Sequence, residues 1–457
     1  MKNYRKNFLL LAFSVAFGLI FAACVTTESG NKTGESSGSG ANAYYVSTLA
    51  GSRSGFADGP GTSAKFNSIS GIAVDGVGNV YVTDAIDMPG NLIRIRKVDS
   101  RGNVSTLAGG TIKGFADGRG TSAQFKAPQG IAVDSAGNVY VADTGNSRIR
   151  KIDSKGNVST LAGKNLGNLV GNSSFSYPKD IAIDEAGNMY VAVDNMIAKI
   201  YSNGNVWSFA GSPYAKQGFA DGQGTSVRFN WPQGVAVDSA GNVYVADTLN
   251  NRIRKIDSRE NVSVLAGNEK QGFADGRGTS ARFNHPSGVA VDKAGNVYVA
   301  DSGNNRIRKI DSTGWVSTLA GTGKQDYVDG LATSASFFSA RAVAVDKTGN
   351  VYVADVNRIR KITLGLSKSG SDEKPAGVKL GGFIGVIDGF EGGDIIVNGK
   401  DDTIARQAPM GRSLIVDANG QYIYLQSTFP MQTVVKCKVT SGDRSLIKKG
   451  MKVYLKP

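Results

Sequence analysis

The sequence has very few of the residues that usually build metal sites, disulfides or membrane spans. Its 457 residues include two cysteines and one histidine, His285, so a zinc site made of several imidazoles cannot form within the chain. There is no EF-hand loop, glycine-rich phosphate-binding loop or serine nucleophile elbow. The apolar run at residues 8–23 is 16 residues long, fewer than the ~20 that a membrane-spanning helix needs.

Glycine is abundant, with 60 residues, and the reason is a unit that recurs six times along the chain. The clearest version is GVAVDKAGNVYVADSGNNRIRKIDSTGWVSTLAG, residues 288–321. Self-similarity at a fixed period indicates an array of stacked supersecondary units. Successive copies are 59, 50, 54, 54 and 54 residues apart, counted at one aspartate of each: Asp75, Asp134, Asp184, Asp238, Asp292 and Asp346.

Each unit has the pattern of four short strands. In GVAVD, Val289 and Val291 point to one side and Ala290 to the other, as alternation along a strand requires. In NVYVAD both sides are apolar, so we expect each sheet to be covered on both faces. The segments DKAGN and DSTG supply the Asp, Asn and Gly residues of tight turns. The unit is therefore predicted to be a four-stranded antiparallel meander, the blade of a β-propeller.

The order of the strands predicts how the ring of blades closes. A run of the VSTLAG type begins at Val46, before the first GIAVD strand, and none follows the last RIRKI strand, which begins at Arg358. The strand that begins at Val46 is therefore available to complete the last blade. That pairing would leave no open edge in the ring, and open sheet edges are an aggregation hazard.

The stretch GFADGRGTSARFNHPSGVAVDKAGNVYVADSGNNRIRKI resembles the bacterial NHL repeat, which is known to form β-propellers. The resemblance covers residues 45–366; five copies match closely, and the third, around Asp184, diverges. It implies an all-β, six-bladed propeller closed by the N-terminal strand. It does not determine a function, because the NHL family includes protein-binding, RNA-binding and enzymatic members, and function depends on the site.

The N-terminus has the features of a bacterial lipoprotein signal. Three basic residues precede the apolar run, and the following FAAC resembles a lipobox in which Cys24 is lipidated and becomes the mature N-terminus. The departure is Phe21, where leucine is usual. An ordinary cleaved signal with an incidental cysteine is the alternative. We assign residues 1–23 to the signal peptide and 24–44 to the lipidated cysteine and a flexible tether rich in Ser and Gly.

The repeat pattern stops near the C-terminal end of the chain. The stretch SKSGSDEKP, residues 367–375, is predicted to be a linker. Residues 376–457 contain short β-type runs such as FIGVI, SLIVD and YIYLQ, which predict a small β-barrel-like domain. Within it, KKGMKVYL resembles the closing strand of SH3-like barrels. If Cys24 carries lipid, Cys437 has no partner, so no intramolecular disulfide is expected.

An aspartate at the end of the VAD strand and the arginine that begins RIRK recur together. In the third copy these positions are Val193 and Met196, so both charges are lost at once. Because an unpaired buried charge is costly, joint loss indicates structural ion pairs rather than a catalytic set. The predicted pairs are Asp84–Arg94, Asp143–Arg148, Asp247–Arg252, Asp301–Arg306 and Asp355–Arg358.

The candidate binding surface is the propeller face opposite the tight turns, because that face carries the long loops. Recurrent loop residues such as Phe115 are interpreted as packing between blades. The loops that break the repeat are more informative: an insertion at 85–91, a divergent third loop at 165–178, and ARA in place of Pro-x-Gly in the sixth copy. Aromatic and arginine residues are common interface anchors. The candidate partner contacts are Tyr177, Tyr214, Trp231 and Arg341.

The net charge of +14 suggests anionic neighbours for an exported protein, such as lipid headgroups or polysaccharide.

The leading hypothesis is a lipid-anchored binding or scaffold module of the bacterial cell envelope, with the outer membrane favoured and a protein or polysaccharide as partner. The alternative is a lactonase- or lyase-like propeller enzyme with a metal in its channel; a third hypothesis is a purely structural envelope protein. We expect no cofactor or resident metal. Nucleic acid is not expected, because no basic stripe with interleaved aromatics is evident.

Overall fold

The computed structural model describes residues 42–85, 92–163, 175–212 and 216–366, together with six strands between residues 383 and 455. The chain divides into two compact units, one up to Lys368 and one from Ser369. Regular structure in the described residues consists of β-strands and three-residue 3-10 helices, and none of these helices is long and apolar enough to cross a membrane. The predicted signal peptide, Cys24 and most of the predicted tether lie outside the described residues.

The first unit contains six antiparallel sheets, which are the six predicted blades. We number the blades by the chain order of their innermost strands. The innermost strands are Ile69–Val74, Ile131–Val133, Pro178–Ile183, Pro232–Val237, Pro286–Val291 and Ala340–Val345. The second strands are Val80–Ala85, Val139–Asp143, Met189–Val193, Val243–Asp247, Val297–Asp301 and Val351–Asp355. The third strands are Ile93–Val98, Arg148–Ile152, Met196–Ile200, Arg252–Ile256, Arg306–Ile310 and Arg358–Leu366.

The outermost strands come from two parts of the chain. Those of blades 1 to 5 are Asn103–Gly110, Asn157–Gly163, Val206–Ala210, Asn261–Gly267 and Trp315–Ala320, and that of blade 6 is the N-terminal strand Asn42–Ala50. Blades 1, 2, 4, 5 and 6 gain a two-residue fifth strand from the preceding loop: Gly59–Pro60, Gly118–Arg119, Gly222–Gln223, Gly276–Arg277 and Gly330–Leu331. Short 3-10 helices follow four of these strands, at Gly61–Ser63, Gly120–Ser122, Gly224–Ser226 and Gly278–Ser280.

The N-terminal strand closes the ring, as predicted from the strand count. It pairs antiparallel with the third strand of blade 6, with Val46 opposite Ile362 and Thr48 opposite Arg360. The Thr48 amide donates to the Asp329 carboxylate at 3.0 Å, which reproduces the bond from the Thr160 amide to Asp117 in blade 2. The strand begins at Asn42, so the last three residues of the predicted tether belong to the propeller.

The hydrophobic core lies between neighbouring blades. On the second strand of blade 5, Val297 and Val299 pack against blade 4, whereas Tyr298 and Ala300 pack against blade 6. Each sheet is therefore covered on both faces, as the two apolar sides of NVYVAD predicted. The phenylalanine that precedes each innermost strand is buried at these contacts: Phe66, Phe125, Phe175, Phe229, Phe283 and Phe337.

The tight turns on one face are closed by the aspartate side chain that begins them. In blade 5, Asp292 Oδ1 accepts hydrogen bonds from the amides of Ala294 and Asn296, both at 2.9 Å. Its Oδ2 accepts from Asn296 Nδ2 at 2.8 Å and from the Tyr298 hydroxyl at 3.0 Å. The recurrent Asp of DxxGN is thus a turn residue that also anchors a buried tyrosine.

The predicted ion pairs were assigned to the wrong arginine. The aspartate that ends the second strand pairs with the second arginine of RIRK, not the first; in blade 2, Asp143 lies 2.9 Å from Arg150. Arg150 and its equivalents are fully buried and also contact the aspartate of the preceding loop, such as Asp117 at 2.6 Å. The observed pairs are Asp84–Arg96, Asp143–Arg150, Asp247–Arg254, Asp301–Arg308 and Asp355–Arg360.

The first arginine of RIRK instead stacks on the recurrent aromatic residue of the GFADG loop. In blade 2 the Arg148 guanidinium lies 4.1 Å from the centroid of Phe115. Phe115 is 46% exposed, so this residue covers the arginine from solvent rather than packing between blades as predicted. The same stacking joins Arg94 to Phe56, Arg252 to Phe219, Arg306 to Phe273 and Arg358 to Tyr327.

The second unit is a closed barrel of six antiparallel strands. Around the barrel their order is Phe383–Glu391, Asp394–Asn398, Val434–Ser441, Gln421–Pro430, Ser413–Ala418 and Lys452–Leu455. This agrees with the predicted small β-barrel, and the likeness of its closing strand to SH3-like barrels stays a prediction.

Candidate functional site

A cavity of about 810 Å³ lies at one end of the central channel, where the innermost strands begin. We call it the channel mouth. Its wall includes one residue from the same position of every blade, the x of Pro-x-Gly. In ring order these residues are Ser70, Gln129, Lys179, Gln233, Ser287 and Arg341. The mouth therefore lies on the face opposite the tight turns, the face predicted to carry the binding surface.

Hydrogen bonds between blades fix the backbone around the mouth. The 3-10 helices Thr144–Asn146, Thr248–Asn250 and Ser302–Asn304 follow the second strands of blades 2, 4 and 5. Thr144 donates through its hydroxyl to the Pro178 carbonyl oxygen of the next blade at 2.6 Å, and Thr248 donates likewise to Pro286 at 2.8 Å. The wall residues are thus presented by strands whose ends are tied to their neighbours.

The structure places two of the four predicted partner contacts in the mouth, Trp231 and Arg341. Tyr177 occupies the repeat position of Trp231 but is not among the lining residues; it is 59% exposed at the start of its innermost strand. Both aromatic residues adopt a left-handed backbone, with φ of 51° for Tyr177 and 56° for Trp231, which is uncommon for bulky residues. Tyr214 lies outside the described residues, as do most of the insertion at 85–91 and much of the third loop.

Lys179 extends along the wall of blade 3 beside Trp231. Its Nζ lies 4.7 Å from the centroid of the Trp231 ring, a cation–π contact that links blades 3 and 4. Burial lowers the pKa of Lys179, and the nearby Asp194 carboxylate partly offsets that effect. Among the ion pairs of the described residues, none includes Lys179.

Arg341 stands in the wall of blade 6. One of its guanidinium nitrogens donates to the Ser68 hydroxyl of blade 1 at 2.9 Å. The side chain is exposed, and the ion pairs of the described residues do not include it. The remaining guanidinium donors are therefore available on the cavity side.

The next residue of each innermost strand lies at a level that we call the neck, where strands of neighbouring blades approach each other closely. This residue is glycine in four blades, because neighbouring strands nearly touch there; a Cβ on Gly130 would lie 2.3 Å from the Asp180 Cα atom. Blade 3 has Asp180 at this position, and its Oδ2 accepts a hydrogen bond from the Val235 amide at 3.1 Å. Burial in the neck raises the pKa of Asp180 to about 7.

Beyond the neck the channel is lined by the innermost strands, whose apolar side chains also pack in the cores between blades. Each blade contributes the apolar residues of its innermost strand, such as Ile72 and Val74 in blade 1 and Val289 and Val291 in blade 5. Among the described residues that line the channel, polar and charged side chains are thus concentrated in the mouth.

The sequence prediction missed Lys179 and Asp180. The signal that could have found them is a comparison of the six copies at one position, because blade 3 has Lys-Asp where blades 2 and 4 have Gln-Gly. These residues were overlooked because the divergence of the third copy was attributed to its loop rather than to its innermost strand.

The residues of the mouth do not fit a resident metal ion. The lining supplies one carboxylate, Asp180, and one imidazole, His285. The His285 Nδ1 lies 2.8 Å from the side-chain oxygen of Asn284, so that ring nitrogen already has a partner. In the described part of the chain, no group of three or more His, Cys, Asp or Glu side chains could hold a metal.

Three stretches match the family model described as NHL repeat: residues 125–152, 229–256 and 283–310. The chain is 31% identical over 281 residues to the protein SUPPRESSOR OF QUENCHING 1, chloroplastic, of Arabidopsis thaliana, which covers 55% of this chain and 26% of that protein. It is 30% identical over 315 residues to NHL repeat-containing protein 2 of Bos taurus. That alignment covers 58% of this chain and 42% of the bovine protein. The chain thus spans less than half the length of these relatives.

Among solved structures, a Bacteroides thetaiotaomicron protein of unknown function superposes with a TM-score of 0.57 at 22% identity. The superposition covers 71% of this chain and 77% of that one, and it shows a shared fold. Each matched stretch of sequence runs from the buried phenylalanine of one blade to the end of its third strand. The repeat match, the strand order and the shared fold together support an NHL-repeat β-propeller.

Proposed function

We propose that this chain is a binding module whose partner, a protein or a glycan, docks in the channel mouth. The main support for this proposal is a difference between two positions of the repeat, one that is constant and one that varies from blade to blade. The phenylalanine before the innermost strand is the same in all six blades, whereas four positions later the blades have Ser, Gln, Lys, Gln, Ser and Arg. Packing between similar blades needs the same residue each time, and an asymmetric partner needs different ones.

The size and lining of the mouth agree with a binding site. Its volume of about 810 Å³ falls within the ~300–1,000 Å³ of ligand pockets. Trp231 and Leu249 supply apolar surface, and the ring supplies hydroxyl, amide and cationic groups. The few charges are placed where they can orient a partner, which is how such sites achieve specificity.

The proposal extends to the cell envelope through Cys24. Lipidation of Cys24 would attach the chain to an envelope membrane, with the outer membrane favoured, and would bring the mouth near envelope proteins and polysaccharides. Support comes from the basic N-terminus, the short apolar run and the polar stretch after the cysteine, in that order. The metal-dependent enzyme is the weaker hypothesis, because the mouth supplies one carboxylate and one imidazole.

A blocking variant tests the site. Thermal unfolding is measured with a library of oligosaccharides and peptides on the unchanged chain, on Gln233→Trp, which fills the mouth, and on Lys155→Trp, which lies in a tight turn on the opposite face. We expect compounds that stabilise the unchanged chain and Lys155→Trp but not Gln233→Trp. Stabilisation of Gln233→Trp by the same compounds, or no stabilising compound, would contradict the proposal.

A further inference from the structure

We propose that the mouth binds an acidic saccharide, held between Lys179 and Arg341. This inference rests on the proposed function, since it names the ligand class of the same mouth. A neutral ligand in the mouth would overturn it and leave the proposed function intact, whereas a ligand bound elsewhere would overturn both.

The two cations belong to opposite blades of the ring. The hydrophobic clusters join blade 1 to 2, 2 to 3, and so on to 6, and a last cluster joins blade 6 back to 1. In a ring of six, blades 3 and 6 are opposite. Lys179 and Arg341 occupy the same repeat position of these two blades, so they stand at the same depth on opposite walls.

These two cations differ from the buried arginines of the blades, which are held by aspartates. The second arginine of RIRK pairs with two aspartates in each of five blades, and Arg252 pairs with Glu269 at 2.9 Å. Neither Lys179 nor Arg341 has an ion pair among the described residues. Lys179 is partly desolvated, and such a cation gains more from an anion that enters its site than a fully solvated one, since the dielectric there is lower than in water.

The four remaining ring residues identify the rest of the ligand. One serine and one glutamine lie between the two cations on each side of the wall, and they offer hydroxyl and amide groups, which both donate and accept hydrogen bonds. A saccharide has many hydroxyls that match such groups, whereas a simple polyanion would use only the charges. Trp231 adds an aromatic surface for the apolar face of a sugar ring.

The neck lies one residue below the level of Lys179 and Arg341. Backbone contacts at Gly130 and Gly288 leave no room for an added Cβ, and Asp180 occupies the same level in blade 3. Carboxylates of the ligand would remain above Asp180, level with Lys179 and Arg341, because the residues that line the channel below the neck include no cationic side chain.

Isothermal titration with trigalacturonate tests the inference directly, and its methyl ester is the matched neutral probe. We expect trigalacturonate to bind in the mouth and to bind about tenfold more weakly to Lys179→Gln and to Arg341→Gln, since a charged hydrogen bond is lost in each. Affinity should fall with added salt. Lys155→Gln on the opposite face should bind like the unchanged chain.

Arg341 also bonds Ser68, so Arg341→Lys provides a second variant that keeps the charge if Arg341→Gln unfolds. We expect Arg341→Lys to bind more tightly than Arg341→Gln. Equal affinity for the methyl ester, unchanged affinity in both glutamine variants, or tighter binding of tripolyphosphate would overturn the proposal. Failure of trigalacturonate and of sulfated and phosphorylated oligosaccharides to bind would overturn it as well.

Discussion

The Asp143 carboxylate and the Arg150 guanidinium form an ion pair with no solvent exposure on either side chain, and 2.9 Å separates Oδ2 from Nη1. Asp143 also accepts from the Lys126 amide and from Asn146 Nδ2, both at 2.8 Å. Arg150 also binds Asp117 and two backbone carbonyls. The network therefore joins the loop, the second strand and the third strand of the blade.

Removing one partner of this pair should be much more costly than replacing the whole arrangement. Asp143→Ala should lower the free energy of unfolding by about 3 kcal/mol, at the low end for a broken buried pair, because the guanidinium loses its fully buried partner but keeps Asp117. Blade 3 shows an apolar alternative, with Val193, Met196 and Ala198 at the positions of Asp143, Arg148 and Arg150. Urea denaturation provides the measurement.

The matched control copies blade 3 into blade 2. The triple variant Asp143→Val, Arg148→Met and Arg150→Ala removes the aspartate and both arginines together, so we expect it to lose less stability than Asp143→Ala alone. A triple variant that is the less stable of the two would show that the ion pair contributes net stability rather than replacing apolar packing.

A disulfide can test the closure of the ring. Ser47 and Lys361 are directly opposite in the pairing of the N-terminal strand with blade 6, a separation that suits a disulfide. In a background without Cys24 and Cys437, Ser47→Cys with Lys361→Cys should cross-link on oxidation and raise the melting temperature. Peptide mapping by mass spectrometry identifies the bond.

The matched control moves the second cysteine by one blade. Lys309 occupies the position of Lys361 in the RIRKI strand of blade 5, where Ser317 is its partner. Ser47→Cys with Lys309→Cys should stay reduced. If Ser47→Cys formed a disulfide with Lys309→Cys and not with Lys361→Cys, the N-terminal strand would belong to blade 5, and the closure of blade 6 would be contradicted.

Most of the fold could be predicted because each blade repeats the same strand and turn chemistry. The arginine that pairs with Asp143, in contrast, could not be predicted from the sequence. Arg148 and Arg150 lie on the same side of one strand, two residues apart, and Arg148 is directly opposite Asp143 in the register. Arg148 stacks on Phe115, and Asp143 therefore pairs with Arg150, which reaches it diagonally across the two strands. The period of a strand does not distinguish these two arrangements.

The candidate site was harder to predict, because it exists only after the ring closes. Lys179 and Arg341 are far apart in the sequence, and only a six-bladed ring places blades 3 and 6 opposite each other. Trp231 was found because large aromatics in loops are conspicuous. Asp180 was missed because its importance comes from the neck, where its neighbours are backbone atoms.

Asp180 should make stability depend on pH. Its folded-state pKa of about 7 lies above the unfolded value of 3.8, so the folded chain keeps a proton that the unfolded chain has released. The free energy of unfolding therefore falls as pH rises from about 4 to about 7. The shift in pKa sets an upper limit of about 4 kcal/mol on this loss, and the loss is smaller because Asp180 is partly exposed. We expect Asp180→Asn to melt at a higher temperature than the unchanged chain at pH 8 and at a similar temperature at pH 4. A constant difference across this range would show that Asp180 ionises normally.

Lipidation at Cys24 is a separate prediction from the N-terminal sequence. Cys24→Ser should abolish fatty-acid labelling and release the chain from bacterial membranes, because the acyl chains provide the attachment. Cys437→Ser is the matched control and should leave both properties unchanged. Labelling that persists in Cys24→Ser would refute the assignment.

A crystal structure of the chain with trigalacturonate would test the central claim, that the channel mouth binds an acidic saccharide. We predict ligand density in the mouth, with carboxylate oxygens about 2.7–3.2 Å from Lys179 Nζ and from the Arg341 guanidinium. Ligand density elsewhere on the propeller, or a ligand in the mouth whose carboxylates point away from both side chains, would contradict it.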